Sequence, residues 1–170
     1  MPIILILLLL IGCSHNGGDV KVTLSKFHDA KLEKKGFNQK INSFQFLLKN
    51  AIEDMLHDLN HQDFGCRQNK DLTLDISFES HDLYTNIKSK GRLQKTEISY
   101  SINYTLNDYR SEYKGKIKSI DTFIIPSYDY SYIISQEDSQ IACINNLVKQ
   151  LEHELTYILD NNCKEIKEKK

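Results

Sequence analysis

Thiols and imidazoles are the side chains of this chain that could do chemistry, but their spacing favours neither a metal site nor catalysis. No Cys-x-x-Cys pair occurs, which speaks against a zinc site or a thioredoxin-type redox centre. His57 and His61 stand four residues apart and could share a metal ion, but their segment lacks the glutamate of a zinc-protease motif. Nucleophile-elbow, Walker and dinucleotide-binding motifs are also missing. We therefore expect no enzymatic activity, no cofactor and no metal.

Cys13 differs from the other cysteines because it follows an apolar run. Residues 3–12 carry no charge and are too few to span about 30 Å of hydrocarbon as a helix, so residues 1–12 fit a secretory signal peptide. No Lys or Arg precedes Ile3, and we therefore expect the translation start to lie a few residues upstream.

The junction Leu10-Ile11-Gly12-Cys13 resembles the lipobox of bacterial lipoproteins. In those proteins the cysteine becomes the mature N-terminus and carries fatty acyl groups such as palmitate. The alternative is an ordinary secretory signal with an incidental cysteine. Ser14 follows where Asp would favour the inner membrane, so the resemblance implies lipidation of Cys13 and anchoring on the periplasmic side of the outer membrane.

The remainder has the size and composition of one globular domain. The sequence is 40% apolar and 26% charged, and its formal net charge of −1 gives no basic field of the kind that nucleic acid attracts. We expect residues 13–19 to form a flexible tether, residues 20–160 a single domain and residues 161–170 a polar, Lys-rich tail.

Hydrophobic periodicity predicts the element order strand, helix, three strands, helix. Apolar and polar residues alternate over 20–25, 72–79 and 98–106, which predicts strands with one buried face. A less regular strand covers 113–125, and a shift in its apolar parity between Ile117 and Ile120 predicts a β-bulge.

Two amphipathic helices complete the predicted domain. Apolar residues recur at helical spacing after a capping box of Asn42 and Gln45, and again over 141–158. The prediction is an α+β, two-layer sandwich of order βαβββα, with a four-stranded mixed sheet and two helices packed on one face.

This order behind a lipobox cysteine resembles the LptE family of lipopolysaccharide (LPS) assembly lipoproteins, which partner the outer-membrane β-barrel LptD. The resemblance covers residues 20–159 in architecture and is most specific over 91–155. The segments that carry it are Gly91-Arg92-Leu93-Gln94-Lys95, Tyr104-Thr105-Leu106-Asn107-Asp108 and the strand around Gly115. Residues 14–18 and 136–139 depart from the family's usual start and its Ala-rich helix entry.

The resemblance implies that the protein plugs the LptD barrel, helps it assemble and binds LPS on the way to the outer leaflet. A polar sheet face suits the polar interior of a barrel, although an ordinary solvated face would show the same pattern. Residues 124–148 contain no Lys or Arg, so the basic residue that the family places just before the last helix is absent. A second hypothesis is a lipoprotein accessory subunit of an ABC-type, MCE-like lipid transport system. Basic residues that could bind lipid A phosphates, or simply keep the surface soluble, are Lys88, Lys90, Arg92, Lys95, Lys114, Lys116 and Lys118.

Chain topology also brings two cysteines together. A strand-helix-strand crossover makes the first two strands parallel, and two hairpins then return the fourth strand to their direction. The two helices therefore run parallel, with Cys66 and Cys163 just beyond their C-terminal ends. An oxidising periplasm would permit a disulfide between these two, the alternative being two free thiols. Cys143 falls within the last periodic segment and is predicted to be a small buried apolar side chain, with one of the three cysteines left over from a single disulfide.

Overall fold

The computed structural model describes residues 18–30, 43–66, 69–83, 94–108, 111–125 and 129–168. Their order is the predicted one, βαβββα, and no described helix is long and apolar enough to cross a membrane. The elements are β1 (Val20–Asp29), α1 (Ser43–Leu59), β2 (Lys70–Leu83), β3 (Gln94–Asp108), β4 (Ser111–Ile125) and α2 (Asp129–Glu168).

The strands form one mixed sheet in the spatial order β1-β2-β3-β4. β1 pairs parallel with β2, whereas β2–β3 and β3–β4 are antiparallel. Antiparallel neighbours need only a short connection, while the parallel pair needs a crossover, and α1 supplies it. The predicted α+β fold with a four-stranded mixed sheet is thereby confirmed.

One hydrophobic core fills the space between the sheet and the helices. Alternate residues of β2 and β3 share a face because register pairs Leu74 with Leu106 and Phe78 with Ile102. Phe44 of α1 stacks on Tyr100 with ring centroids 4.0 Å apart, which closes the core near the start of the helix. Each fully buried aliphatic side chain contributes roughly 1.5–3 kcal/mol. The largest fully buried side chains are Leu48, Ile52, Leu59, Leu72, Leu74, Ile76, Phe78, Ile102, Leu106, Leu147, Leu151 and Leu155.

The bulge predicted in β4 is wrong. Pairing of β3 with β4 runs without a shift from Gln94–Ile125 to Asp108–Ser111. Ile117 is buried, whereas Ile120 points to the other face and is 48% exposed. The apparent shift in parity therefore comes from an exposed isoleucine on an unbroken strand.

The irregularity lies in β1, between Leu24 and Lys26. Leu24 pairs with Leu74 before it, and Phe27 pairs with Ile76 after it, so the extra residue restores apolar side chains to the helix-facing side. β1 consequently extends to Asp29, beyond the short strand that the alternation predicts.

α2 is longer than its apolar periodicity predicts, because that periodicity marks only the part that packs on the sheet. The helix begins at Asp129 and continues to Glu168, through most of the segment expected to be a tail. Cys163 consequently lies inside α2 rather than beyond its end, and it is buried. Glu and Lys, which are good helix formers, supply most of the last turns.

Candidate functional site

The sheet face opposite the helices is polar over β2 and β3, and it is the candidate functional surface. Residues there alternate with the core residues, and register places Ser77 beside Asn103 and Glu79 beside Ser101. We call this surface the outer face; its members on β2 and β3 are Thr73, Asp75, Ser77, Glu79, Glu97, Ser99, Ser101, Asn103, Thr105 and Asn107.

Three lysines of β4 extend the outer face to the edge of the sheet. Register pairs Lys114 with Thr105, Lys116 with Asn103 and Lys118 with Ser101, and all three lysines are exposed. The predicted period-two basic stripe is therefore on one face of the sheet, in the position that its spacing implies.

Two of these lysines already have carboxylate partners. Lys114 Nζ lies 2.9 Å from Glu112 Oε2, and Lys116 Nζ lies 3.3 Å from Glu79 Oε2. Within the described part of the chain, Lys118 makes no ion pair. Lys118 is consequently the β4 lysine most available to an incoming anion.

Some small polar groups of the outer face are covered by their longer neighbours. Ser99 and Ser101 are almost fully buried although they face away from the helices. Among the described residues, Asp75 Oδ1 and Ser99 Oγ are buried without a hydrogen-bond partner. Buried polar atoms usually have such a partner, so these two atoms are exceptions within the sheet.

The other predicted basic residues lie elsewhere or outside the described residues. Lys95 is in β3, where its backbone pairs with Ile124 near the far end of the sheet from Gly18. Lys88, Lys90 and Arg92 fall outside the described residues, as does Cys13.

The histidine pair near the end of α1 is exposed and shows no metal-binding arrangement. The rings of His57 and His61 are 4.6 Å apart, and His61 Nδ1 lies 2.7 Å from the carbonyl oxygen of His57. No group of three His, Cys, Asp or Glu side chains among the described residues could hold a metal ion.

The helix-facing side of the sheet is tied to α2 through two tyrosines. Tyr104 donates a hydrogen bond to Glu154 Oε2 at 3.1 Å, and Tyr113 donates one to Asn162 Oδ1 at 2.7 Å. Burial, together with the nearby charge of Glu154 and this hydrogen bond, raises the pKa of Tyr104 to about 12. Tyr104 packs over Gly115, its partner on β4, where a larger residue would collide with the ring.

The three described cysteines comprise one bonded pair and one free thiol. The structure joins Cys66 and Cys163 as a disulfide with Cα atoms 4.8 Å apart, a usual separation for such a bond. Cys143 is buried and free. Burial chiefly raises the pKa of the Cys143 thiol, with a further rise from the charge of Asp121 and a partial offset from its hydrogen bond with Ser119. A protonated, buried thiol is a poor nucleophile.

Sequence reasoning missed a buried polar pair at the start of α1. Gln45, expected to close a capping box, instead donates from Nε2 to Asp29 Oδ2 at 2.6 Å, and both residues are buried. Because the β1 bulge turns Asp29 toward the helices, this contact depends on a feature that the alternation of β1 does not indicate.

Solved structures with a similar fold include lipoproteins. A candidate lipoprotein of Caulobacter crescentus CB15 gives a TM-score of 0.51 at 14% identity, covering 84% of this chain and 91% of that one. A minor lipoprotein of Acinetobacter baumannii gives a TM-score of 0.49 at 11% identity, covering 81% of this chain and 91% of that one. Rare lipoprotein B of Shewanella oneidensis gives a TM-score of 0.42 at 11% identity, covering 82% of this chain and 97% of that one. At the identity of the Caulobacter protein, the likeness establishes a shared fold.

No protein-family model matches the chain, and no curated protein matches it.

Proposed function

We propose that this protein is a non-catalytic outer-membrane lipoprotein, anchored on the periplasmic side through Cys13, that partners the LptD barrel and binds LPS. The observation that carries the proposal is a sheet with one face closed by helices and the other polar and open. The lipobox-like junction at Cys13 and the fold shared with the Caulobacter candidate lipoprotein support it.

The outer face has the chemistry that the inside of a large barrel requires. Barrel interiors are polar and wet, so a plug must present hydrogen-bonding side chains instead of apolar ones. Hydroxyls, amides and charges cover the two central strands.

The lysines of β4 offer a binding mode for LPS phosphates. Lys118 has no ion pair among the described residues, so its ammonium group can donate directly to a phosphate. Lys114 can exchange Glu112 for a phosphate at little cost, because an exposed ion pair contributes only about 0–1 kcal/mol. Lys88, Lys90 and Arg92 of the connection between β2 and β3, together with Lys95 of β3, would extend the site.

Affinity purification from detergent-solubilised outer membranes tests the partner. The acylated protein should bring down the LptD barrel, and Cys13→Ser should lose both acyl labelling and membrane attachment. Recovery of MCE-type or ABC-transporter components in place of the barrel would instead favour the lipid-transporter hypothesis. Unchanged acyl labelling of Cys13→Ser would contradict the lipidation site.

Matched lysine variants test LPS binding. Lys118→Gln removes from the outer face a charge that has no ion pair among the described residues, whereas Lys149→Gln removes an exposed charge from α2 and serves as the control. We expect Lys118→Gln to weaken LPS binding about threefold to tenfold, corresponding to roughly 0.7–1.4 kcal/mol, and the control to leave it unchanged. Equal affinities of the two variants would place the LPS site elsewhere.

A triple variant tests the basic residues at and before the start of β3 separately. Replacing Lys90, Arg92 and Lys95 by Glu should weaken LPS binding without unfolding the domain, because surface substitutions usually change stability by less than about 0.5 kcal/mol. Circular dichroism provides the folding control. Undiminished affinity would restrict the site to β4.

A further inference from the structure

The start of β1 is fastened to the segment that follows α1. The N–H of Gly18 donates to the carbonyl of Cys66 in an isolated antiparallel bridge. The N–H of Asp19 donates to Asn69 Oδ1 at 3.1 Å. These contacts hold the chain at the point where it enters the domain from the N-terminal side.

Asn60 adds a second attachment to β1. Its Oδ1 accepts the N–H of Val22 at 2.7 Å, and its Nδ2 donates to the carbonyl of Val22 at 3.0 Å. The side-chain amide thus pairs with the edge of β1 as a neighbouring strand would.

Cys66 connects this attachment to α2. Its carbonyl binds Gly18, and its sulphur is bonded to Cys163, with both cysteines at most 2% exposed. Next to Cys163 in α2, Asn162 accepts the hydrogen bond from Tyr113 of β4. We call the set Gly18, Cys66 and Cys163 the clasp.

We propose that the clasp fixes the lipid-bearing N-terminus against the C-terminal part of α2, so that this end of the domain faces the phospholipid surface. The proposal rests on the proposed function in one respect, the acylation of Cys13. Five residue steps separate Cys13 from Gly18, a span of at most about 18 Å when fully extended.

Strand geometry places the other end of the domain beyond that reach. β2 begins beside Val20 at Lys70 and ends at Leu83, fourteen residues that cover roughly 45 Å. The connection between β2 and β3, which contains Lys88, Lys90 and Arg92, therefore starts at the end that points away from the membrane anchor.

Oxidation that closes the clasp is an exchange with a protein disulfide. Two thiols, Cys66 and Cys163, form one S–S bond, and the two electrons and two protons that they give up convert the partner's disulfide into two thiols. Because both sulphurs are buried in the folded domain, the exchange takes place before packing is complete, and the finished bond is shielded from small thiols.

Lipid photo-crosslinking tests the orientation. The acylated full-length mature protein is reconstituted into phosphatidylethanolamine–phosphatidylglycerol vesicles with a benzophenone amino acid in place of Gln62 or Ile120. Both positions are exposed; Gln62 lies at the clasp end, and Ile120 lies in the far part of β4. We expect at least about fivefold more phospholipid adduct at position 62 than at position 120.

Removing the disulfide should reduce this difference without abolishing it, because the pairing of β1 with β2 still brings the tether in at the same end of the domain. In Cys66→Ser/Cys163→Ser, the adduct yield at position 62 should fall at least about twofold but stay above that at position 120, whereas Cys143→Ser, which keeps the disulfide, should behave as the wild type. Cys66→Ala/Cys163→Val keeps an apolar filling and replaces the serine variant if that variant does not fold.

Hydrogen exchange tests the clasp without reference to the lipid. Amides of residues 18–22 should exchange at least about tenfold faster without the disulfide, while those of residues 48–55 in α1 should not change. Unaltered exchange over 18–22, or alkylation of both thiols in protein taken from the periplasm, would overturn the clasp.

The photo-crosslinking experiment can refute the orientation independently of the hydrogen-exchange measurement. Equal adduct yields at positions 62 and 120 in acylated wild-type protein would overturn the orientation. Failure of Cys13 to acquire acyl groups would count against the proposed function. The clasp would then be decided by the hydrogen-exchange measurement.

Discussion

Substituting Gly115 by alanine should destabilise the domain by displacing Tyr104. The two residues face each other across β3 and β4, and a β-carbon at position 115 would lie 2.5 Å from Cζ and Oη of Tyr104. Tyr104 is buried, and its hydroxyl is held by Glu154, so the ring has to move away from that partner to admit the methyl group.

The expected cost follows from three contributions. Overpacking of a filled core costs about 1–3 kcal/mol. Losing the hydrogen bond to a charged acceptor costs about 1.5 kcal/mol, at the low end of its range because Glu154 is exposed and can be rehydrated. Replacing glycine in a strand returns about 0.5–1 kcal/mol of conformational entropy. We therefore expect Gly115→Ala to lower the free energy of unfolding by about 1.5–4 kcal/mol.

A double-mutant cycle by urea denaturation, in a Cys13→Ser background that avoids acylation, separates the clash from other effects. With Tyr104→Ala, Gly115→Ala should cost less than about 0.5 kcal/mol because nothing remains to collide with. Gly65→Ala is the control: Gly65 has a φ of 62°, so its replacement costs about 1–2 kcal/mol in either background. Equal costs of Gly115→Ala with and without the Tyr104 ring would refute the reasoning.

Three further outcomes are expected from the described contacts. Because the pKa of Tyr104 is raised in the folded protein, the unfolded chain ionises first, and the free energy of unfolding falls as pH rises from about 10 to 12. Solvent near the exposed Glu154 screens part of this effect, so Tyr104→Phe should remove a loss of up to about 2 kcal/mol. Parallel curves of stability against pH for the two proteins would contradict this. Cys143 should resist iodoacetamide at pH 8 until urea unfolds the domain, and rapid labelling of native protein would show that the thiol is accessible. Asn60→Ala should cost about 1–2 kcal/mol through its two bonds to Val22 and should accelerate exchange of the Val22 amide; unchanged exchange would count against that pairing.

The fold was predictable where side-chain period and topology act together. Over Leu72–Phe78 and Ile98–Leu106, strict alternation defines the buried face of two central strands, and the structure buries those residues. Strand direction predicts that Cys66 and Cys163 lie at the same end of the domain, since parallel helices end on the same side of a sheet, and the structure joins them as a disulfide. The extent of α2 was not predictable from periodicity, because the regular recurrence of apolar residues ends near residue 158 while the helix continues to Glu168.

Irregular features escaped sequence reasoning because they depend on contacts between distant segments. The alternation of β4 does not distinguish a bulge from a surface isoleucine, and only pairing with β3 shows that Ile120 is exposed. The real bulge in β1 precedes Asp29, a charged residue that a hydrophobic pattern assigns to a loop. Asp29 is buried because Gln45 of α1 donates a hydrogen bond to its carboxylate, a contact that exists only when α1 lies beside β1.

The charges of the candidate site also depend on contacts between segments that are distant along the chain. Lys116 and Lys118 are equivalent in the sequence, as successive members of a period-two stripe. Register nevertheless leaves Glu79, which is 37 residues away along the chain, within 3.3 Å of Lys116, while Lys118 makes no ion pair among the described residues. Counting lysines thus overstates the charge that the outer face presents to an anion, because two of the three β4 lysines, Lys114 and Lys116, are paired with carboxylates among the described residues. Strong phosphate binding by this face would therefore require the lysines between β2 and β3 to act with Lys118.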